Sequence, residues 1–436
     1  MLEQELAMAH ETIEDADNYE SVVDAIQIEW IEQALLETNK ASIRRRRLPA
    51  QQAVWLVIWM GLQRNMSIKE VCSSLDIALQ PKPEDSWTRV APSVLTDSRR
   101  RLDESPLAAL FHTTVKAWNV DILQQDKDLE LNVLAVDGTT FRCQDSPENA
   151  EEFGFISKKL KPYPQLRLVA LMSTETRMIM GAAFDGCHVG ETTLAKRLFN
   201  DIPTHSLTLF DRCYFSADLL LSWQESAENA HWLMPAKRKL RYEVLEKYAE
   251  NDMPISPQAQ RQNPNLPARW EARLVLYQAP KGEIKGFITS LTDPSRYSLE
   301  SLLRIYWQRW EIEEGYGEIK QIQLQSHVTL RSRFSAGVKQ ELWGVLLAYN
   351  LVRLEMVKIA SEAGVRATRV SFTAAINLID AQLRWLALSP DGTLPVKLKR
   401  MRDSLSHFIL PDKRKDRTFP RSVLFVPAKY PFRFKQ

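Results

Sequence analysis

The first hundred residues place apolar and polar positions with the period of amphipathic helices, separated by short polar loops. An apolar stretch from Gln51 to Leu62 predicts a buried helix. Ser67 followed by Glu70 resembles a capping box and predicts the start of another short helix. A further helix is predicted within Ser93–Leu102. The chain is therefore expected to begin with a helical region.

From about residue 129 the pattern changes to short apolar runs that predict buried strands. The expected order is β-β-β-α-β-α-β, and the first three strands should form an antiparallel meander. The strands are Leu131–Gly138, Gln165–Ser173, Arg177–Phe184, Leu207–Asp211 and His231–Pro235, and the helices are Glu191–Phe199 and Ser216–Glu225. Strands alternating with helices predict an α/β domain with a mixed sheet.

Residues 238–296 interrupt this alternation and are rich in Pro, Gln, Asn and charged residues. Two apolar runs, Trp270–Gln278 and Glu283–Leu291, predict a hairpin, so we expect a β-rich insertion here. Helical periodicity returns after Ser298, a candidate N-cap, and again from Val338 to Glu362.

The helix after Ser298 carries its charged residues unevenly. With successive residues about 100° apart, one arc of roughly 60° contains Tyr306, Arg309, Glu313 and Lys320. Beside it runs an apolar stripe of Ile305, Ile312, Tyr316 and Ile319. Three other glutamates, Glu311, Glu314 and Glu318, are expected to face solvent. A helix face on which one glutamate lies beside an aromatic ring and two cationic side chains indicates that this face binds an anionic partner.

Composition is that of a soluble globular protein large enough for two or three domains, with 436 residues, 44% hydrophobic and 26% charged. The net charge of +2 hides an asymmetry. Residues 1–40 hold eleven acidic residues and one lysine, whereas residues 397–436 hold twelve Lys or Arg against three Asp. A basic segment favours a polyanion such as nucleic acid, and a solvated tail is the alternative.

Arginine clusters also punctuate the N-terminal helices, at Arg44–Arg47 and Arg99–Arg101. Short helices that display such clusters are typical of a helical DNA-binding module. The alternative is a helical cap whose arginines are merely solvated. The sequence leaves both interpretations open.

Four cysteines without CxxC spacing indicate reduced thiols. No apolar stretch is long enough to span a bilayer, and no targeting segment is evident. We therefore expect a cytoplasmic protein with no membrane partner.

Two predicted strands end in aspartate, Asp137 and Asp211. If these strands are neighbours in the sheet, their carboxylates approach each other at one edge, and a helix packed on the sheet can bring Glu313 to the same point. Three carboxylates offer the oxygen ligands that two hard divalent cations prefer. Two such metal ions promote phosphodiester displacement. The cationic side chains on the Glu313 face, Arg309 and Lys320, are then suited to hold DNA phosphates near the metal ions.

On these residues the chain resembles bacterial insertion-sequence transposases of the DDE class, in the family typified by insertion sequence four. The family signature is Tyr, two residues, Arg, three residues, Glu, six residues, Lys, and Tyr306, Arg309, Glu313 and Lys320 meet it. The surroundings of both aspartates also agree, except that Cys213 stands where the family usually has Gly. The similarity continues through Glu341–Arg353 to Tyr430–Pro431 and so covers essentially the whole chain.

The resemblance implies a ribonuclease H-like core that acts as a homodimer on double-stranded DNA, at the terminal inverted repeats of its own element and at a target. It implies Asp137, Asp211 and Glu313 as catalytic and metal-binding residues, with two Mg²⁺ ions and Mn²⁺ as the alternative. Tyr306, Arg309 and Lys320 would contact DNA phosphates. Several relatives excise through a DNA hairpin and flip a base; where such a relative carries a stacking Trp, this chain has Lys285, which leaves Trp270 or Trp310 as the alternative.

We accordingly divide the chain into a helical N-terminal domain for DNA binding, 1–125, and a catalytic core in two parts, 126–237 and 297–365. The β-rich insertion 238–296 separates the two parts, and a helical, then basic, C-terminal region spans 366–436. Two rival functions share the acids: a ribonuclease H-like DNA nuclease or resolvase, and a non-catalytic DNA-binding protein derived from a transposase. The first does not need the cations near Glu313, and the presence of all three acids disfavours the second.

Overall fold

The computed structural model describes residues 25–41, 48–79, 91–123, 125–126, 129–156, 163–237, 240–257, 266–267, 269–278, 282–386 and 394–411. The arginines at 44–47, the chain beyond residue 411 and most of the acidic N-terminal segment lie outside these ranges. Within the described ranges, no helix is both long and apolar enough to cross a membrane.

The chain forms two compact units that do not follow chain order. The sheet unit comprises Asn119–Phe141 and Gln165–Gly317. The helical unit comprises Met1–Trp118, Arg142–Pro164 and Glu318–Gln436. Both units are therefore assembled from segments that are distant in sequence.

The helices are numbered along the chain. They are α1 Ile28–Glu37, α2 Ala50–Leu62, α3 Ile68–Leu79, α4 Pro92–Leu102, α5 Ser105–Ile122, α6 Pro147–Phe153, α7 Glu191–Lys196, α8 Ala217–Glu225, α9 Leu299–Tyr306, α10 Trp310–Gly317, α11 Ser335–Glu362, α12 Phe372–Leu386 and α13 Leu394–Ser406. The capping box predicted before α3 is confirmed, because Ser67 N donates to the Glu70 carboxylate and Glu70 N donates to Ser67 Oγ.

A ten-stranded mixed sheet forms the centre of the sheet unit. Its strands are β1 Gln125–Asp126, β2 Leu131–Arg142, β3 Gln165–Ser173, β4 Ile179–Gly186, β5 Ser206–Phe210, β6 Ala230–Pro235, β7 Tyr242–Val244, β8 Asp252–Pro257, β9 Ala272–Gln278 and β10 Ile284–Thr289. The order across the sheet is β4-β3-β2-β5-β6-β10-β9-β8-β7, and β1 pairs with β2 outside this path.

Parallel pairing at the centre of the sheet gives way to antiparallel pairing at both sides. β2 pairs in parallel with β5, and β5 with β6, whereas β3 and β4 are antiparallel. The predicted hairpin of β9 and β10 is present, and β10 also pairs antiparallel with β6. The strands of the 238–296 segment therefore extend the central sheet, which confirms the predicted mixed α/β architecture.

One buried apolar cluster joins the central strands to α9. Its members include Leu131, Val133, Leu207, Leu209 and Leu233 from β2, β5 and β6, together with Leu302 and Ile305 from α9. Burying such side chains contributes about 1.5–3 kcal/mol each. Ser298 begins α9 as predicted, because its side chain accepts a hydrogen bond from Ser301 N. The cap and the cluster fix α9 against the strands that lead to Asp137 and Asp211.

In the helical unit, α2 packs closely against the long helix α11. A methyl group added at Gly344 would lie 2.6 Å from the carbonyl oxygen of Val57, and one added at Gly61 would lie 2.7 Å from that of Gly344. Glycine at these positions lets the two backbones approach each other.

A buried cluster of charged side chains also lies in the helical unit, around Glu341 of α11. Its carboxylate binds Arg64 at 2.5 Å and accepts from Arg331 N at 2.9–3.0 Å. Arg99 is 4% exposed and bonds to Gln340 at 2.9 Å. Neither interpretation of Arg99, as a DNA-reading or a solvated residue, is correct, because its guanidinium satisfies buried acceptors inside the unit.

Candidate active site

Asp137 and Asp211 lie at the same edge of two neighbouring parallel strands. The β2–β5 register ends at the pair Val136 and Phe210, the residues directly before the two aspartates. The condition that these two strands are neighbours in the sheet is met. The predicted end of the first strand is wrong, because β2 also lies beside β3 and continues to Arg142.

We predicted one regular α-helix for the segment that carries Glu313, and this prediction is wrong. α9 passes into a 3₁₀ turn, Trp307–Arg309, and then into α10. A π-helical segment, Glu318–Gln323, follows in the helical unit. The uniform 100° spacing therefore fails, since 3₁₀ and π turns rotate the chain differently from an α-helix. Lys320 lies in the π-helical segment. Burial and, to a smaller extent, the charge of Arg142 lower the pKa of its ammonium group.

Arg309 lies between two of the candidate carboxylates. Its Nη2 donates to Glu313 Oε1 at 3.0 Å, and its Nη1 lies 3.9 Å from Asp137 Oδ2. The Arg309 side chain is only 11% exposed, and its guanidinium carbon lies 5.1 Å from the ring centroid of Trp310. A buried guanidinium in this place supplies counter-charge to both acids.

Two tyrosines tie this segment to the aspartate strands. Tyr316 is buried and donates from Oη to the backbone carbonyl of Asp137 at 2.7 Å. Tyr306 donates to the carbonyl of Phe210 at 3.4 Å. Both carbonyls lie where the β2–β5 register ends, so the phenols satisfy acceptors at the limit of the ladder. Glu313 is held between these two anchor points.

The other glutamates of this segment differ from the prediction. Glu314 is exposed as expected. Glu311 instead accepts a hydrogen bond from Arg177 at 2.6 Å, and Glu318 is buried in the helical unit and bonded to Arg353. The prediction that Glu311 and Glu318 face solvent is wrong because buried guanidiniums need anionic partners.

Burial raises the pKa of Asp137 to about 6. The N–H of Gly138, which donates to Oδ1 at 2.8 Å, and the charge of Arg309 oppose this shift, whereas the charges of Glu313 and Glu191 add to it. A cation beside Asp137 would favour the ionised form and lower its pKa. This carboxyl therefore suits a metal site.

Asp211 begins a 3₁₀ turn, Arg212–Tyr214, and its Oδ1 accepts from Arg212 N at 2.6 Å. Cys213 Sγ lies 3.7 Å from Asp211 Oδ2. Desolvation and, to a smaller extent, the charge of Asp211 raise the pKa of Cys213 to about 12. The thiol therefore stays protonated and acts as a weak donor to the aspartate.

The sequence analysis missed a fourth carboxylate at this edge, that of Glu191 in α7. A methyl group added at Gly138 would lie 2.6 Å from Glu191 Cδ. The signal available in the sequence was a glutamate that opens the helix between the two aspartate strands. Acidic residues are common in first turns, so this signal alone is not specific.

The donor set fits hard divalent cations. Asp137, Asp211 and Glu313 offer carboxylate oxygens only, which are the ligands that Mg²⁺ and Mn²⁺ prefer. Over the part of the chain that the structure describes, no group of three or more His, Cys, Asp or Glu residues is spaced to hold an ion. The three carboxylates are therefore chemically suited to divalent ions without being drawn together around one here, and Arg309 provides counter-charge to Asp137 and Glu313.

The positions considered for a flipped base differ in exposure. Trp270 is 6% exposed and meets Trp232 edge-on, so its ring offers no open face to a base. Trp310 is 45% exposed. Lys285 lines a cavity of about 430 Å³ together with Arg212. Of the two tryptophan alternatives, Trp310 therefore remains a prediction, whereas packing covers the ring of Trp270.

Comparison with known proteins agrees with the motif. Residues 128–351 match the family described as the transposase DDE domain, and residues 17–112 match the insertion element 4 transposase N-terminal family. The transposase InsG for insertion sequence element IS4 of Escherichia coli (strain K12) is 34% identical over 418 residues, 94% of this chain and 93% of that protein. InsZ of the same strain is 33% identical over 221 residues, 50% of this chain and 72% of that protein. A cryo-EM structure of the piggyBac transposase synaptic complex with hairpin DNA is similar with a TM-score of 0.41 and 9% identity, covering 92% of this chain and 87% of that one.

Proposed function

The chain belongs to the DDE transposases, in the family of insertion element IS4, and we propose that Asp137, Asp211 and Glu313 are its catalytic carboxylates. A member of this family is a DNA transposase with a ribonuclease H-like core, which cuts and joins DNA strands with divalent metal ions. One observation carries the proposal: the two aspartates follow paired strand ends, and Arg309 links Asp137 to Glu313.

We assign the three carboxylates as ligands of two Mg²⁺ ions, with Mn²⁺ as the alternative. When bound, the ions supply the positive charge that activates a nucleophilic oxygen and stabilises the leaving oxygen of a phosphodiester. Asp137 would hold a cation in its ionised form, which the Gly138 N–H and the charge of Arg309 favour and burial disfavours. Tyr316 holds the Asp137 backbone in place through its hydrogen bond to the carbonyl.

We assign Arg309, Lys320 and Tyr306 to the DNA phosphates at the cleaved end. Arg309 bonds to Glu313 and lies near Asp137, and with these carboxylates holding a cation its guanidinium would be available to phosphate oxygens. Tyr306 holds Phe210 by a long hydrogen bond of 3.4 Å, which a phosphate oxygen can replace.

In the reaction that we propose, a water molecule attacks the phosphodiester at a terminal inverted repeat and a 3′-hydroxyl leaves. That 3′-hydroxyl then attacks a phosphodiester of the target, whose own 3′-oxygen leaves. We assign recognition of the repeats to the helical segment 1–125 and further DNA contacts to the C-terminal region 366–436. A homodimer would hold two ends together.

The catalytic assignment is tested with Asp137→Asn, Asp211→Asn and Glu313→Gln, each of which keeps the shape of the side chain. Strand cutting of an end-containing duplex in Mg²⁺ should fall on the order of 1,000-fold in each variant. Binding of the same duplex in a gel-shift assay should persist, because the DNA contacts are retained.

Glu314→Gln is the matched control, since this exposed glutamate is next to Glu313 and should cut normally. Normal cutting by any of the three variants would show that the assignment of that residue is wrong. Joined products, in addition to nicks, distinguish transposition from a ribonuclease H-like nuclease or resolvase.

A further inference from the structure

Glu191 is a half-buried carboxylate beside the candidate catalytic residues, and neither the family signature nor the proposed triad includes it. It is the first residue of α7, which follows Gly190 as N-cap. Its side chain is 35% exposed. Its carboxylate lies against the backbone of Gly138, the residue directly after Asp137.

Gly138 makes room for this carboxylate. A methyl group at position 138 would lie 2.6 Å from Glu191 Cδ and 2.8 Å from its Oε1, both closer than atoms tolerate. Gly138 is not among the glycines with positive φ, so the backbone does not demand glycine here. The missing side chain therefore leaves the space that the Glu191 carboxylate occupies next to Asp137.

The charge of Glu191 is weakly compensated. Among the residues described, the neighbouring cation is Arg167, whose Nε lies 3.9 Å from Glu191 Oε1, beyond hydrogen-bond distance. Arg309, in contrast, bonds Glu313 at 3.0 Å. Two carboxylates close together and partly buried repel each other unless a cation is shared between them.

We propose that Glu191 is a fourth carboxylate of the catalytic site and binds a divalent cation together with Asp137. The inference rests on the proposed function, because it takes Asp137 as a metal ligand. A cation between the two supplies the charge that Arg167 is too distant to give. Gly138 then contributes to metal binding indirectly, because its missing side chain leaves the space that the Glu191 carboxylate needs.

The test measures Mn²⁺ binding to the full-length protein without DNA, by electron paramagnetic resonance of free Mn²⁺. Glu191→Gln keeps the shape and removes the charge, so the dissociation constant should rise about 10-fold or more. Glu300→Gln is the matched control, because Glu300 is also in the first turn of a helix, α9. It should change the constant less than twofold.

Gly138→Ala provides an independent variant. The added methyl group displaces the flexible end of Glu191, so Mn²⁺ affinity should fall by a similar factor while the melting temperature changes little. In the Glu191→Gln background, Gly138→Ala should add less than twofold, because both changes remove the same ligand. Full additivity of the two losses would contradict a shared mechanism.

Asp137→Asn separates this inference from the proposed function. If Asp137→Asn loses Mn²⁺ affinity and Glu191→Gln keeps it, Glu191 is an ordinary first-turn acid and the inference is wrong, while the triad stands. If Asp137→Asn itself binds Mn²⁺ normally, the triad assignment fails as well. Loss of affinity in both variants, with the Glu300→Gln control intact, supports the fourth carboxylate.

Discussion

Asp137 carries an energetic cost that its own neighbours only partly offset. Burial raises its pKa to about 6, against an ordinary value near 3.8, although Gly138 N–H and Arg309 favour the ionised form. An acid whose pKa is raised by folding stabilises the fold least when it is ionised. Stability from this group is therefore lost as pH rises from about 4 to about 6, and the deficit remains above pH 6.

Asp137→Asn should consequently stabilise the protein in the presence of a chelator. The shift corresponds to about 3 kcal/mol at most, and the 23% exposed side chain reduces the expected gain to about 1–2 kcal/mol at pH 8. The gain should vanish below pH 4, where the carboxyl is protonated in both states. Thermal unfolding from pH 3.5 to pH 8 measures it, with the exposed Asp145→Asn as control.

A destabilised Asp137→Asn variant at pH 8 would contradict this account of the residue. Mg²⁺ should reverse the order of stability, because the ion stabilises the native protein through a carboxylate that the variant lacks. In the proposed metal role, Asp137 therefore lowers the stability of the protein without the ion and raises it when the ion is bound.

At the scale of elements, apolar periodicity predicted the long buried strands but missed β8, Asp252–Pro257, whose two prolines interrupt its apolar pattern although the strand is mostly buried. The predicted and observed bounds of Gln165–Ser173 coincide, and β5 and β6 differ from prediction by a single residue at one or both ends. β7, Tyr242–Val244, was missed because all three of its residues are exposed and carry no apolar pattern. The π-helical segment after Gly317 was missed because one changed turn barely alters the spacing of buried residues.

The same reasoning explains which parts of the site were predictable. Asp137 and Asp211 followed from two apolar strands that end in an acid, and Glu313 from a helix face. Glu191 did not, because its approach depends on the space at Gly138, which no periodicity records. The approach of Arg309 to Asp137 was likewise set by tertiary packing, whereas its pairing with Glu313 is a local i,i+4 contact.

Two glycine substitutions should have opposite effects on helix stability. Gly344→Ala places a methyl group 2.6 Å from the backbone oxygen of Val57, so α2 and α11 must separate at a cost of about 1–3 kcal/mol. Gly317→Ala meets nothing within 4 Å and should stabilise α10 by about 0.5–1 kcal/mol. Urea unfolding of the two variants measures both, and a destabilised Gly317→Ala would contradict the open space at that position.

At the scale of the whole molecule, chain order and structural units differ. The helical unit takes its N-terminal helices from the first 118 residues and its long helix α11 from Ser335–Glu362. Burial would raise the pKa of Glu341 in α11, but the guanidiniums of Arg64, Arg99 and Arg331 hold it below the usual value. These buried charges bind segments that are far apart in sequence into one core.

The segment 1–125, which we propose for DNA-end recognition, should therefore not fold by itself. Without α11, Arg64 loses Glu341 and Arg99 loses Gln340, and a buried charge without its partner costs about 3–5 kcal/mol. The apolar α2, buried along most of its length, is exposed as well. Circular dichroism and amide NMR of the isolated fragment should show a largely unfolded chain, with the full-length protein as the folded control. Cooperative thermal unfolding of the fragment would instead show that the first helices form an autonomous domain, and that α11 is dispensable to their core.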